Sequence, residues 1–183
     1  MANLTWSKIA RRVRVPLSFA FAAAYLWLAQ PTITSILLST IWIVSGIVLR
    51  GLASGHLQKN ERLATTGPYA YVRNPLYLGS VILALGFTIA ARSSWVGLGL
   101  LLLFLGIYLP VIRDEEAFLR ERFPEFADYA LRVPRLLPSL RVSSTSTGEF
   151  SWALYWKHRE YNAALGSLAM LAALVAKRLW ILQ

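Results

Sequence analysis

From Val15 to Leu49 the chain runs for 35 residues without a charged side chain. One helix needs about 20 residues, in a range of about 17–25, to cross the hydrocarbon core of a bilayer. The run is too long for one crossing and sufficient for two, with Gln30-Pro31-Thr32 as the turn. Three more charge-free runs come after it: Asn74 to Ala91, Ser93 to Ile112, and Tyr161 to Ala176. The last has 16 residues, and snorkelling of Lys177 and Arg178 would let Leu179 to Leu182 extend it into a fifth membrane helix. Backbone polar groups in lipid are satisfied only within helices or closed barrels. The expectation is an all-α integral membrane helical bundle of about five transmembrane helices, forming one domain over residues 1–183. A cytoplasmic-face amphipathic segment accompanies it. A second apolar span directly after the first, with no small-residue cleavage site, argues against a secretory signal peptide at the N-terminus.

Composition agrees. The chain is 56% hydrophobic and 15% charged, with mean hydropathy +0.50, whereas soluble domains are about 45–50% apolar and about 25% charged. The net charge of +10 does not read as a nucleic-acid surface, because the cations sit between apolar runs and form no basic stripe on a soluble element. They fit headgroups of membrane lipids instead. No cysteine is present, which excludes disulfides, thiolate metal sites, cysteine nucleophiles and lipidation at cysteine. Only His56 and His158 are available to a histidine-based metal centre, so no metal site is expected. Within the fourth run Gly97, Gly99 and Gly106 would let another helix approach. Gly97-Leu98-Gly99 is not a dinucleotide fingerprint, having Leu102 at the third glycine position and no strand before it.

Positive charge collects before the first run, between the second and third, and after the fourth, while the turns near Pro31 and Arg92 hold almost none. The positive-inside rule then places the N-terminus and two chemically loaded loops on the cytoplasmic side. The compact size and the lack of a retention signal point to a prokaryotic inner membrane. The first loop ends in Thr65–Gly79, TTGPYAYVRNPLYLG. Gly67, Pro68 and Pro75 fix a backbone path there, and Asn74, preceding proline, is biased towards extended geometry, so a helix should start at about Pro75. As a bare composition the same stretch also fits an interfacial aromatic belt. The second loop, Arg113 to Arg141, holds six of the nine acids and has apolar residues at helical spacing, broken at Pro124 and ended by Pro134 and Pro138. Asp114-Glu115-Glu116 at a membrane boundary is costly unless partnered. An inward carboxylate there could hold an amine, a ribose hydroxyl or a sulfonium, or pair with Arg73. Residues 143–148 read as a small-residue linker, and 150–182 as an aromatic interfacial segment leading into the last helix.

GPYAYVRNPLYLG, then two apolar spans, then DEEAFLRERFPEFADYALRVPRLLP resembles the isoprenylcysteine carboxyl methyltransferase and phospholipid methyltransferase group. That group shares Gly-x-Tyr…Arg-His-Pro-x-Tyr-x-Gly, a Glu-Glu pair, and Phe-x-x-x-Tyr-x-x-Tyr and Val-Pro-Arg elements. The likeness covers Leu63 to Pro138, a methyltransferase core over residues 63–138 after the hairpin of 15–49. It implies an S-adenosylmethionine-dependent membrane methyltransferase whose cofactor pocket lies between the loop before the third span and the Glu-Glu segment. Carried over by position, Leu63, Ala64, Tyr69, Asn74, Pro75, Leu76 and Tyr77 border the cofactor, Glu115 and Glu116 contact its polar part, and Arg73 or Arg113 faces the substrate group. Arg73, Arg113 and Glu116 are the catalytic candidates. This chain reads Arg73-Asn74-Pro75 where the group has Arg-His-Pro. Asparagine keeps hydrogen bonding and loses titratable acid/base chemistry. The histidine often found before the Leu-x-Thr segment is likewise replaced near Glu61.

Methyl transfer from a sulfonium needs mainly alignment in a dry pocket. A carboxylate acceptor would be oriented by Arg73 or Arg113; an amine or phenol would need a base, for which Glu115 and Glu116 are the evident candidates. The expected acceptor is lipophilic and enters between helices; neither its identity nor the oligomeric state can be read. Two other classes remain: a nicotinamide-dependent membrane reductase, for which no 2′-phosphate site is apparent, and a non-catalytic helical scaffold, which would tolerate loss of Arg73, Tyr77 and Glu116.

Overall fold

The computed structural model describes residues 20–59, 61–139 and 148–180. The basic N-terminal stretch and residues 143–147 of the linker lie outside the described residues. Among those described there is no strand, and the helices run in the order α1 (20–28), α2 (Ile33–His56), α3 (Pro75–Ala91), α4 (Ser94–Arg122), α5 (Phe126–Arg132), α6 (Trp152–Lys157) and α7 (Tyr161–Trp180). Helices α2, α4 and α7 are long and apolar enough to cross a membrane, and α3 is a shorter apolar helix.

The turn between α1 and α2 falls where Gln30-Pro31-Thr32 predicts it. Thr32 accepts from the Ser35 backbone N–H while the Ser35 hydroxyl accepts from the Thr32 backbone N–H, a reciprocal cap that starts α2. Helix α3 starts at Pro75, where a fixed φ and a missing N–H cost nothing. The structure differs from expectation in the fourth span. It does not stop at Ile112; the same helix continues through the acids to Arg122. Charged residues such as Glu and Arg are good helix formers, so the change from lipid to water at Arg113 does not end it. Phe123 does, held extended at φ −124° and ψ 108° by the proline after it. Within this helix Phe104–Tyr108 is π-helical, a one-turn widening that rotates the facing of the residues after Tyr108.

Helix α2 is apolar on its outer face and mostly small or polar on its buried one. On α2 the buried residues are Ser35, Ser39, Ile43, Gly46, Ala53, Ser54 and Gly55, while Ile33, Leu37 and Ile41 are 62%, 66% and 68% exposed. In water that surface would be an aggregation liability; in lipid it is the ordinary arrangement, with small residues allowing close helix contact. A Cβ on Gly46 would sit 2.8 Å from the Gly79 carbonyl oxygen and 2.8 Å from the Leu83 Cγ. The α2–α3 seam is therefore backbone against backbone. Gly46→Ala is expected to cost about 1–3 kcal/mol through overpacking, read as a lower thermal midpoint in detergent; an unchanged midpoint would mean the seam has slack. Of the fourth-run glycines, Gly97 faces Thr88 and Gly99 faces Phe21, whereas a Cβ added at Gly106 would meet no atom of the described residues within 4 Å.

One end of the bundle is closed by a small core of Tyr25, Ala29, Ala90, Ala91, Val96 and Leu174. Here Lys177 Nζ donates to the carbonyls of Leu26 (2.6 Å), Ala29 (2.7 Å) and Trp27 (3.0 Å). A cation thereby satisfies the orphan carbonyls and the negative dipole end of α1. The other end of α7 is tied to α2 by Glu160 and Arg50. Helix α7 thus runs the length of the bundle.

Candidate functional site

The end opposite Lys177 contains a cavity of about 590 Å³, within the range of small-molecule sites. The loop after α2 brings Leu63, Ala64 and Tyr69 to its wall; the start of α3 brings Arg73 to Tyr77, and α4 brings Glu115 and Glu116. The path depends on Gly67, whose φ of +58° is a left-handed conformation. A side chain there would also run into the His56 ring.

Glu116 is the centre of the wall. It is 7% exposed and its two oxygens have different partners. Asn74 Nδ2 donates to Oε1 at 2.9 Å. Arg135 donates to Oε2 through Nε at 3.0 Å and Nη2 at 2.6 Å. Arg73 Nε lies 3.7 Å from Oε1, close enough to pair electrostatically but not to hydrogen-bond, and it is a buried polar atom without a hydrogen-bond partner. Asn74, at the position of the group's histidine, therefore acts as a donor joining α3 to α4.

Two backbone bonds hold the 133–139 segment beside the loop: the Arg73 N–H donates to the Pro134 carbonyl, and the Ser139 N–H to the Tyr71 carbonyl, both at 2.9 Å. Under it, Phe126, Tyr129 and Val133 form a buried core against Leu63 and Leu119. The Tyr129 hydroxyl donates to the Tyr69 carbonyl at 2.8 Å. Burial, reinforced for Tyr69 by Tyr129 and Glu115, pushes both phenols above their ordinary range. For Tyr129 burial outweighs the opposing pull of Arg73. Both stay protonated and cannot serve as bases.

Every expected cofactor-side residue, Leu63, Ala64, Tyr69, Asn74, Pro75, Leu76, Tyr77, Glu115 and Glu116, lines this cavity, as does Arg73. Arg113 does not: it is exposed on α4 and outside the lining. Sequence reasoning missed Arg50, Tyr108, His158 and Glu160, all in the wall, and Arg135 behind Glu116. Arg50 Nε and Nη2 donate to the two oxygens of Glu160 at 3.0 and 2.9 Å, and Nη1 donates to Ser80 Oγ at 2.6 Å. The available signal was an arginine and a glutamate at the ends of apolar runs, where an ionisable group needs a partner.

A second cavity of about 500 Å³ lies between α3 and α4, with Val81, Ala84, Leu100, Leu101 and Phe104 among its apolar lining. Ser80 and Tyr108 belong to both cavities. Tyr108 sits at the end of the π-helical stretch, stacked on Phe104 and edge-on to Tyr77 at 6.0 Å. A charged chamber thus adjoins an apolar slot across a seam of one hydroxyl and paired aromatic rings.

The phospholipid methyltransferase family model matches residues 24–125. The chain belongs to that family. Two curated relatives are similar. The cobalt-zinc-cadmium resistance protein CzcN of Cupriavidus metallidurans is 39% identical over 107 residues, covering 58% of this chain and 48% of that protein. The nickel-cobalt-cadmium resistance protein NccN of Alcaligenes xylosoxydans xylosoxydans is 39% identical over 85 residues, 46% of this chain and 40% of that protein. The chain thus matches less than half the length of either relative. No solved structure matches it. The family match contains the α2–α3 seam, the Tyr69–Tyr77 loop and Glu115-Glu116, whereas Phe126, Tyr129, Arg135, His158 and Glu160 reach the site from beyond it.

S-adenosylmethionine, which the family implies, fits the groups present. Glu115 and Glu116 suit an ammonium or ribose hydroxyls, Arg73, whose Nε makes no hydrogen bond, suits a carboxylate, and the aromatic residues Tyr69 and Tyr77 in the same wall suit a purine.

Proposed function

We propose that this chain is an S-adenosylmethionine-dependent membrane methyltransferase acting on a lipophilic acceptor at the cytoplasmic membrane face. The observation that carries the reading is the junction of the charged chamber with the apolar slot at Ser80 and Tyr108. An acceptor with a reactive headgroup and a hydrocarbon tail matches that pair, the head beside Glu116 and Arg73 and the tail between α3 and α4. The methyl donor supplies an already activated methyl group. The chain's residues then have to orient the two partners and exclude water. Arg73, Asn74 and Glu116 fix the polar end, and Tyr77 with Tyr108 separates it from the tail.

CzcN and NccN take their names from metal resistance. A membrane-modifying step is compatible with such a role and needs no metal held by this chain, whose described residues include no cluster of three or more His, Asp or Glu side chains able to bind one.

Calorimetry on detergent-purified protein tests the reading. Saturable binding of S-adenosylmethionine and S-adenosylhomocysteine is expected. Tyr77→Ala should weaken it about tenfold, by removing the edge-on partner of Tyr108 and an aromatic wall. A folded wild type that binds neither compound ends the methyltransferase reading, and binding of a nicotinamide dinucleotide in their place would favour the reductase class.

A further inference from the structure

The apolar slot between α3 and α4 has a polar end and a dry end. Ser80 and Tyr108 stand at the end shared with the chamber, where the Ser80 hydroxyl accepts from Arg50 and donates to the Leu76 carbonyl. At the other end Thr88 donates its hydroxyl hydrogen to the Ala84 carbonyl at 2.8 Å. Its methyl is what faces α4: a Cβ added at Gly97 would lie 3.0 Å from Thr88 Cγ2. Between the two ends the lining is apolar, as at Val81, Ala84, Leu100 and Ile107. A ligand with one polar end is oriented by such a slot, because a polar atom in the dry end would lack a partner.

A third helix bounds the slot. Phe21 of α1 lines it and packs against the small core that contains Tyr25, Ala91 and Leu174. Its ring rests on α4 where Gly99 has no side chain; a Cβ there would fall 2.9 Å from Phe21 Cε2. Gly99 therefore seats the ring, and Gly97, in the lining two residues earlier, leaves space open beside it. The edges that reach lipid are Leu85 and Leu101, 48% and 53% exposed. From Ser80 to Thr88 helix α3 advances about 12 Å. An extended chain of about ten carbons, with zigzag bonds of about 1.5 Å, has that length.

Resting on the methyltransferase reading, we propose that the slot selects the acceptor by the length of its hydrocarbon chain, with Phe21 as the stop and Gly97 as the residue that leaves the last stretch before it open. A chain of about ten carbons reaches from Ser80 to the dry end. A shorter one leaves that end unfilled and forfeits its contacts. A longer one meets the Phe21 ring and has to leave over the Leu85 and Leu101 edges into lipid. Transfer out of the bilayer does not discriminate among these chains, since lipid tails are as apolar as the lining. Fit does: one methylene too many or too few in an apolar pocket is worth about 10–200-fold.

The test uses the full chain in lipid nanodiscs and a series of saturated fatty acids, octanoic to hexadecanoic, each with a photoreactive diazirine at the chain end. Labelled positions are mapped by mass spectrometry, and calorimetry measures S-adenosylmethionine binding in the same proteins. In wild type the decanoic probe should label Phe21 and Thr88 about tenfold more than the hexadecanoic probe. Gly97→Leu fills the space before the stop and should cut that labelling by about tenfold. Phe21→Ala removes the stop and should move the optimum to a longer chain. Both variants should bind S-adenosylmethionine within about twofold of wild type; if Gly97→Leu does not, Phe21→Ala decides the matter by itself. Equal labelling by every length, the response of a groove filled by bulk lipid, overturns the proposal. So does an optimum that Phe21→Ala leaves in place, and so does a slot that takes no probe. If S-adenosylmethionine binds while the slot fails these tests, the length selection falls alone. If the slot behaves as expected but wild type binds no S-adenosylmethionine, the methyltransferase reading falls, and with it the claim that the chain is an acceptor's.

Discussion

Glu116→Ala is expected to reduce S-adenosylmethionine affinity by about 100-fold or more and to lower the stability of the site end of the bundle by about 3 kcal/mol. Two effects add. The carboxylate is the nearest anion to Arg73, whose Nε is buried without a hydrogen bond. Removing one member of a buried pair leaves the other's desolvation uncompensated, at about 3–5 kcal/mol. Arg135 is 42% exposed and can turn to water, so the penalty falls mainly on Arg73 and belongs at the low end. The second effect is loss of the acceptor that binds Asn74 Nδ2 and the Arg135 fork. Without it the start of α3 is no longer tied to α4, and the cofactor-side wall loses its register. Calorimetry and thermal unfolding in the same detergent separate the two. Glu116→Gln, which keeps an oxygen for Asn74 but no charge, should fall between wild type and alanine. An alanine variant that binds within about threefold of wild type would remove Glu116 from the cofactor site.

Arg50→Ala should cost about 3 kcal/mol and disconnect α7 from the site. Arg50 and Glu160 are 22% and 12% exposed at their side chains, and the contact is a two-point fork. The same guanidinium reaches Ser80 Oγ and, at 3.3 Å, the Leu76 carbonyl, so one side chain joins α2, α3 and the head of α7. Its loss leaves Glu160 as an unpaired carboxylate at the start of a lipid-facing helix, which is the more expensive half of the break. Arg50→Lys should recover only part, because an ammonium cannot reproduce the fork. A double-mutant cycle with Glu160→Ala in detergent is the measurement. A coupling of about 3 kcal/mol is expected, and a coupling near zero would show the pair to be incidental.

Membrane residence was legible without coordinates because the bilayer's demand is local. It is a length of uncharged helix, and charge-free runs of 35 and 20 residues can be counted. The turn at Pro31 and the start of α3 at Pro75 were equally readable, since proline acts through its own ring and its immediate neighbour. So was the convergence of the Tyr69–Tyr77 loop with Glu115-Glu116, because a helical hairpin between two loops returns the chain to the same face. The end of the fourth helix was not legible in the same way. The change from apolar to charged residues at Arg113 marks where solvent begins, not where the helix stops, and Pro124 stops it.

Partnership across the bundle lay beyond the sequence. Asn74 is recognisable as a hydrogen-bonding residue but not as the donor to Glu116. Arg135 had no visible destination, and Arg113, equally placed in sequence for a role, proved exposed. Arg50 meets Glu160 across 110 positions, and Lys177 reaches Leu26 and Trp27 across 151 and 150. Such pairs depend on which faces the helices bring together, and that depends on small residues such as Gly46 and Gly79 meeting across a seam. Sequence alone determined that this chain is helical, lies in a membrane and gathers two polar loops at one end, since these follow from each residue's affinity for lipid or water. Only the tertiary structure decided which charges pair, and that His158 and Glu160 line the charged chamber, because a pairing depends on distance, and packing sets distance.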